Sequence, residues 1–553
     1  MATSLVLVYE IQDPGYILEL PIVDGTIESI EWGDLTPSDN LTTHTYTDPG
    51  TYTVSITGTG ITSFNYNNGS GQDYLIECTS FGEIGLTDAS NMFNYCRNLM
   101  VAPATSPSTI TNMSNMFTNA RAFNGDISGW NTTNVTDMSS MFEDAIAFNQ
   151  DISGWTTTNV TDMSSMFRDV TNFNQDISGW TTTNVTDMSS MFRNAQAFNQ
   201  NIGGWTTTNV TDMSSMFRNA QAFNQPLDNW DVSSVETTYS MFYLAASFNQ
   251  DLNSWDVSSV QDMSSMFESA TAFNGNISNW TPTNVTDMSS MFSGATAFNQ
   301  NIGNWNIASV IFMSNMLDGT ALSITNYNAL LNGWSIQTVQ SGVSFGAQGL
   351  TYTSAGLAAH NILTGSPNAW TILGDTYLPP PVCFKEGSQI LTDTGYKAIE
   401  MLRKGDLVKT SKNGFLPIDM IGKRVIYNPA EKERIKEQLY KCSKEQYPEV
   451  FEDLVITGCH SILVDRFASK EQREKAIEVN SGRLCITDKK YRLPACVDDR
   501  ASVYEVKGDF TIYHIALEND DYYMNYGVYA NGLLVETCSK RYLKELSKME
   551  LIE

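Results

Sequence analysis

The sequence predicts a multidomain chain in three parts. These are a small β-sandwich cap, an α/β solenoid of 25-residue coils, and an all-β C-terminal domain with a helical insertion. Three observations predict it. Trp130, Trp155, Trp180, Trp205, Trp230, Trp255, Trp280 and Trp305 are spaced by 25 residues without an insertion, and a fixed period of this length is the signature of a stacked repeat. Residues 1–382 hold five Arg, no Lys and 33 acidic residues, a charge of −28, whereas residues 383–553 hold 27 basic and 28 acidic residues, a charge of −1. From Cys383 onward the repeat is gone, and short β-like runs alternate with Asp-Thr-Gly and Gly-Asp turns. Two modules of different origin therefore meet at or just before Cys383.

Taken in order, residues 1–75 open with alternating strands and a turn at Asp48-Pro49-Gly50. The pattern "WGD…HTYTDPGTYTVSITG" resembles the PKD-type β-sandwich of surface proteins, which implies a reduced sandwich over the open end of the repeat array. Residues 76–320 carry the repeat, with one unit reading "DMSSMFRNAQAFNQNIGGWTTTNVT" at 187–211. A unit this small cannot bury its Met, Phe and Trp alone, so stacking on neighbours must close the core. The spacing of Val185, Met188, Met191 and Phe192 predicts a short helical turn capped by Thr186 or Asp187. Phe198, Ile202 and Trp205 predict a short strand and a turn. Residues 321–382 read as a less regular cap followed by the stiff linker Pro379-Pro380-Pro381.

Two ladders in the repeat have rival readings. Asp137, Asp162, Asp187, Asp212, Asp262 and Asp287 suit turn capping better than calcium, which needs more than one carboxylate per coil. Sequons such as Asn134-Val-Thr, Asn159-Val-Thr and Asn184-Val-Thr suit either glycosylation or a structural Asn/Thr ladder. His44 and His360 stand alone and read as structural. A Cys78–Cys96 disulfide and two free thiols both remain open. The signature "MSSMF…AFNQ…W…VTDM" resembles the BspA-type leucine-rich-repeat surface proteins. That resemblance implies a binding surface for a protein or glycan ligand and a cell-surface, extracellular or virion-associated setting. The first residues, "MATSLVLVYE", lack the basic lead and cleavage site of a signal peptide, and no apolar run approaches the length of a membrane span. The net charge of −29 argues against nucleic acid as a partner. No CxxC or CxxH spacing points to a metal, and no cofactor motif is present.

After the seam come "CFKEGSQILTDTGYKAIEMLRKGDLV", a charged stretch at 428–445 that predicts an inserted surface helix, then "EDLVITGCHSILVD", and finally "YYMNYGVYANGLLVETCS". In this order the blocks resemble the Hint family, the autoprocessing domains shared by Hedgehog proteins and inteins, over residues 383–538. They are also similar to Hint-tailed proteins of large DNA viruses. The resemblance implies cleavage of the Val382–Cys383 bond in cis, with no external substrate. Cys383 would attack the preceding carbonyl, Thr457 would hold the amide, and His460 would protonate the departing nitrogen. Water or another nucleophile acceptor would then resolve the thioester. An ordinary thiol pKa of about 8.5 would leave a few per cent thiolate at neutral pH. His514 and Cys538 are supporting candidates. Splicing inteins end in His-Asn, but here Val535-Glu536-Thr537-Cys538 stands in that place, so cleavage without splicing is expected. The tail "SKRYLKELSKMELIE" reads as a closing helix. The alternative is a non-enzymatic surface adhesin whose Hint-like tail is inert.

Overall fold

The structure is a computed structural model that describes residues 4–66, 70–380, 382–480 and 482–552. It divides into two compact units, Met1–Thr376 and Tyr377–Glu553. Pro381, the last of the proline run, lies outside the described residues.

In the first unit, Leu5–Ile11 buries alternate residues and pairs antiparallel with Gly50–Thr59 on one side and Leu75–Phe81 on the other. Thr26–Glu31 extends this to a four-stranded sheet, and Tyr16–Glu19 pairs with Thr43–Tyr46. His44 stacks on the buried Trp32 ring and bonds Asp34 at 2.7 Å, an ordinary structural role.

Each 25-residue coil bonds to the next in parallel register, rung on rung, as at Asp162↔Asp187↔Asp212. The expected helical turn at Met188–Phe192 does not form. Ser190 and Asn194 are left-handed (φ 56° and 59°), so N–H groups alternate in direction. Met191 and Arg193 donate within the coil, to Met188 and Ser190. Ser190, Phe192 and Asn194 donate to the next coil, at Ser214, Met216 and Arg218. Bonds between coils replace the i→i−4 bonds a helix would need. The expected strand through Phe198–Trp205 is also absent, because side chains take over its bonding. Asn174 Oδ1 accepts from the Asn199 N–H of the following coil, and the Trp205 indole donates to Ile177 O. Phe192 packs at 3.9 Å from Phe198 and 5.8 Å from Phe217 (centroid to centroid), and every Trp of the repeat is buried. The Asp ladder does cap turns, though not helical ones: Asp187 Oδ1 accepts from Ser189 N–H at 2.8 Å, as Asp162 does from Ser164. The sequon asparagines bond backwards, with Asn184 Nδ2 donating to Thr158 O. Cys78 and Cys96 are both free and buried.

The last coil continues into helix Ile324–Ser335, N-capped by Ser323, and helix Ser354–Thr364, N-capped by Thr353. Trp334 extends the indole ladder by donating to Ile302 O. His360 stacks on Tyr352 and lies 3.4 Å from Asp375.

The second unit is β-rich, with long antiparallel ladders such as Phe415–Asn428 against Gly508–Leu517. The helix expected over 428–445 is not there. Arg434 sits in that segment with its guanidinium bonded to the carbonyls of Ala495, Cys496, Asp498 and Ala501, and Leu439–Cys442 pairs as a strand with Leu454–Thr457. These tertiary bonds override the helical propensity. The α-helix of this unit is Lys470–Val479 instead. The tail forms a π-helical turn, Tyr542–Leu546, and a strand, Glu550–Ile552, rather than a closing helix. No helix among the described residues is long and apolar enough to cross a membrane.

Candidate functional site

A two-residue strand, Phe384–Lys385, organises the site. It lies between two antiparallel partners, with Phe384 opposite Ile456 on one side and Tyr513 on the other. One step back in register, Cys383 therefore stands opposite Thr457 and His514. The sequence separations are 74 and 131 residues, and the sheet closes both.

Thr457 ends its strand and begins a tight turn, in which the His460 N–H bonds Thr457 O at 2.9 Å. The turn depends on Gly458, where an added Cβ would lie 2.8 Å from Lys436 O and 2.9 Å from Ile435 O. That turn returns His460 over Phe384, with ring centroids 4.3 Å apart, and to within 5.3 Å of the His514 ring.

The bonds around the Val382–Cys383 junction are specific. Cys383 N–H, the nitrogen of that peptide bond, donates to Thr457 Oγ1 at 2.8 Å. Thr457 N–H donates to Cys383 O at 3.0 Å, and Val382 N–H donates to the Tyr542 hydroxyl at 3.3 Å. The Cys383 thiol faces Met549 Sδ at 3.9 Å and packs in a small apolar group with Leu439, Ile512, Ala516, Cys538 and Leu543. The tail brings Tyr542 and Met549 here by pairing Glu550–Ile552 with Ile421–Lys423. Gly422 permits the close approach, since a Cβ there would lie 2.7 Å from Leu543 Cδ2.

Burial sets the electrostatics. It pushes the Cys383 thiol well above its ordinary range, opposed only in part by the nearby Arg424 guanidinium. The few per cent thiolate expected from an ordinary cysteine is therefore corrected downward, and Cys383 rests as the thiol. Burial likewise lowers His460 to about 3; the backbone of Cys383 and Glu536 favours the charged ring, but neither ring nitrogen reaches hydrogen-bond geometry. A histidine titrating near neutrality is thus corrected to a neutral imidazole, with one N–H donor and one free acceptor. His514 is also held neutral by burial and by His460; its Nδ1 accepts from Ile515 N–H and its Nε2 is unpartnered.

The candidates Val382, Cys383, Thr457, His460, His514 and Cys538 all fall in this neighbourhood. Cys538 is buried in the same apolar group and bonds Ile515 O at 3.4 Å. Glu536, standing where splicing domains carry other chemistry, is tied to Arg492 at 2.7 Å, Asn525 at 2.6 Å and Thr487 at 3.0 Å. Tyr542, Met549 and Arg424 were not foreseen. Tyr542 lies 160 residues from Val382 and Met549 166 from Cys383, Arg424 reaches Ser547 across 123, and none of the three falls in a motif block. Among the described residues there is no group of three or more His, Cys, Asp or Glu side chains that could hold a metal.

A cysteine at the first strand of this β-rich unit, fastened to a threonine-turn-histidine, is the arrangement that the Hint resemblance implied. Residues 382–540 match the Hint domain family. Residues 87–185, 171–274 and 250–346 match the family described as "Mycoplasma protein of unknown function, DUF285", in keeping with the BspA-like resemblance. The chain therefore joins DUF285 repeats to a C-terminal Hint domain. No curated protein matches it. Among solved structures, it is similar to the gp41-1 intein (13% identity, 28% of this chain and 96% of that one, TM-score 0.17). It is also similar to a bacterial intein-like domain from Clostridium thermocellum (15% identity, 28% and 99%, TM-score 0.18).

Proposed function

We propose that the Hint domain cleaves its own chain at Val382–Cys383 and does not splice. The observation that carries this reading is the 2.8 Å bond from the Cys383 N–H to Thr457 Oγ1, which grips the nitrogen that must leave. In the reaction, Cys383 Sγ adds to the Val382 carbonyl carbon. The C–S bond forms and the C–N bond breaks. The thiol proton passes through neutral His460 to the freed amine nitrogen, a transfer suited to an imidazole with both nitrogens unpaired. Water then opens the thioester, leaving a carboxyl group on Val382 and a free thiol and amine on Cys383. Holding the reactants together in a fixed geometry compensates for the weakly acidic buried thiol. Glu536 and Thr537, which stand before Cys538 where splicing inteins carry His-Asn, offer no amide to cyclise, which supports cleavage alone.

The test is the intact mass of the purified chain over time, with and without added thiol. Species of 1–382 and 383–553 are expected, and Cys383→Ala should remain whole. A wild-type chain that never cleaves would leave the inert-tail reading.

The repeat stack, whose ladders of Asn, Thr and Asp are spent on bonds between and within coils, is read as the binding half of the protein. Retention of the chain on immobilised proteins or polysaccharides, against an albumin surface, tests that reading.

A further inference from the structure

Five basic residues serve the whole of 1–382, and three of them, Arg168, Arg193 and Arg218, occupy one column on consecutive coils. Their backbones are joined rung to rung, with Asp169 N–H bonding Arg193 O and Asn194 N–H bonding Arg218 O. The first is neutralised, as Arg168 pairs with Glu143 at 3.1 Å and Asp169 at 3.3 Å. The other two are not. Arg218 stacks on the Tyr243 ring at 4.3 Å, and among the described residues Arg193 makes no ion pair and its buried Nε has no hydrogen-bond partner. Burial and its two arginine neighbours weigh against the charge Arg193 carries, while Asp169 nearby favours it in part.

The next coil departs from the repeat at these positions. Tyr239 stands where neighbouring coils have Ser214 and Ser264, Tyr243 continues the arginine column, and Thr237 interrupts the Asp ladder between Asp212 and Asp262. Tyr239 is 42% exposed. Among the described residues Glu236, just before Thr237, makes no ion pair with the arginines. Beside the column, Asn194, Asn219 and Gln221 form a chain of neutral amides.

We propose that the strip Arg193–Arg218–Tyr239–Tyr243 binds an acidic polysaccharide, its carboxylates or sulfates on the guanidiniums and a sugar face on Tyr239. A guanidinium fork matches such groups in two-pronged fashion, and the exposed aromatic ring and amides suit the rest of a sugar better than a peptide acid alone. The surrounding excess of acid repels polyanions elsewhere on the module, so binding is confined to the strip and falls with salt. The proposal rests on reading the repeat stack as a binding surface.

The experiment uses the full chain carrying Cys383→Ala, immobilised, with polygalacturonate, heparin, neutral dextran and polyglutamate as probes at low and near-physiological salt. Salt-sensitive binding of either acidic polysaccharide is expected; polygalacturonate carries carboxylates alone, so binding of heparin without binding of polygalacturonate assigns the strip to sulfates. Arg193→Gln and Arg218→Gln should each weaken it at least about tenfold without lowering the melting temperature, while Arg121→Gln should not. Binding unchanged by Arg193→Gln, equal binding of dextran, or equal binding of polyglutamate overturns the strip and leaves the binding reading intact. Binding to none of the probes overturns the strip. If the chain also fails on every protein and polysaccharide surface, the binding reading falls with it.

Discussion

Under the proposed cleavage, Thr457→Val isolates the bond that holds the departing nitrogen. Valine keeps the branched shape at the end of the strand and removes only the hydroxyl. In the wild type that hydroxyl accepts from the Cys383 N–H at 2.8 Å in a fully buried setting. The substitution leaves a buried N–H without a partner, at a cost of about 1–3 kcal/mol. The backbone bond from Thr457 N–H to Cys383 O is untouched, so the short strand should stay in place. If the hydroxyl holds the amide more strongly in the transition state than in the resting chain, a differential loss of that size appears in the rate, at ~1.4 kcal/mol per tenfold. Cleavage should slow by about one to two orders of magnitude. The assay is a time course of intact mass, with hydrogen exchange on the peptide covering Cys383 to confirm that the strand is retained. Thr457→Ser keeps the hydroxyl and should recover most of the rate. A Thr457→Val chain that cleaves at the wild-type rate with the strand intact would refute the role assigned to the bond.

Acid should loosen the Hint unit. His460 titrates at about 3 folded and at 6.5 unfolded, so the unfolded chain binds the extra proton between those values. Stability from this group is complete above 6.5 and is lost as pH falls toward 3, reaching a loss of ~3 kcal/mol near about pH 4.5. His514 shifts in the same direction. Hydrogen exchange of residues 377–552 in Cys383→Ala at the two pH values measures it, and equal protection would contradict a buried neutral pair. Met549→Ala should uncover the thiol: the tail packing loses about 2 kcal/mol or more, and Cys383 should alkylate with iodoacetamide faster than in the wild type. An unchanged alkylation rate would mean that Met549 does not shield the nucleophile.

How much was legible in the sequence depends on the range over which each feature is encoded. The coil period and its buried Met, Phe and Trp follow from spacing alone, because a 25-residue unit has no other way to bury them. The internal path of a coil did not follow. Helical spacing at Met188–Phe192 and bonding to the next coil compete for the same N–H groups, and only stacking decides for the latter. The charged stretch 428–445 misled in the same way, since Arg434 finds four carbonyls more than 60 residues away.

At the site, the sequence by itself determined the chemical groups, namely a cysteine at a module boundary, a threonine and histidine three residues apart, and no asparagine at the far end. Only the tertiary structure decided that Cys383, Thr457, His460 and His514 meet around one two-residue strand. It also decided that Tyr542 bonds the Val382 N–H and Met549 covers the thiol, and that burial keeps the Cys383 thiol protonated and the His460 imidazole neutral. Side-chain type is local information. Burial, which sets both protonation states, depends on everything that packs around the site, including a tail some 160 residues further along the chain.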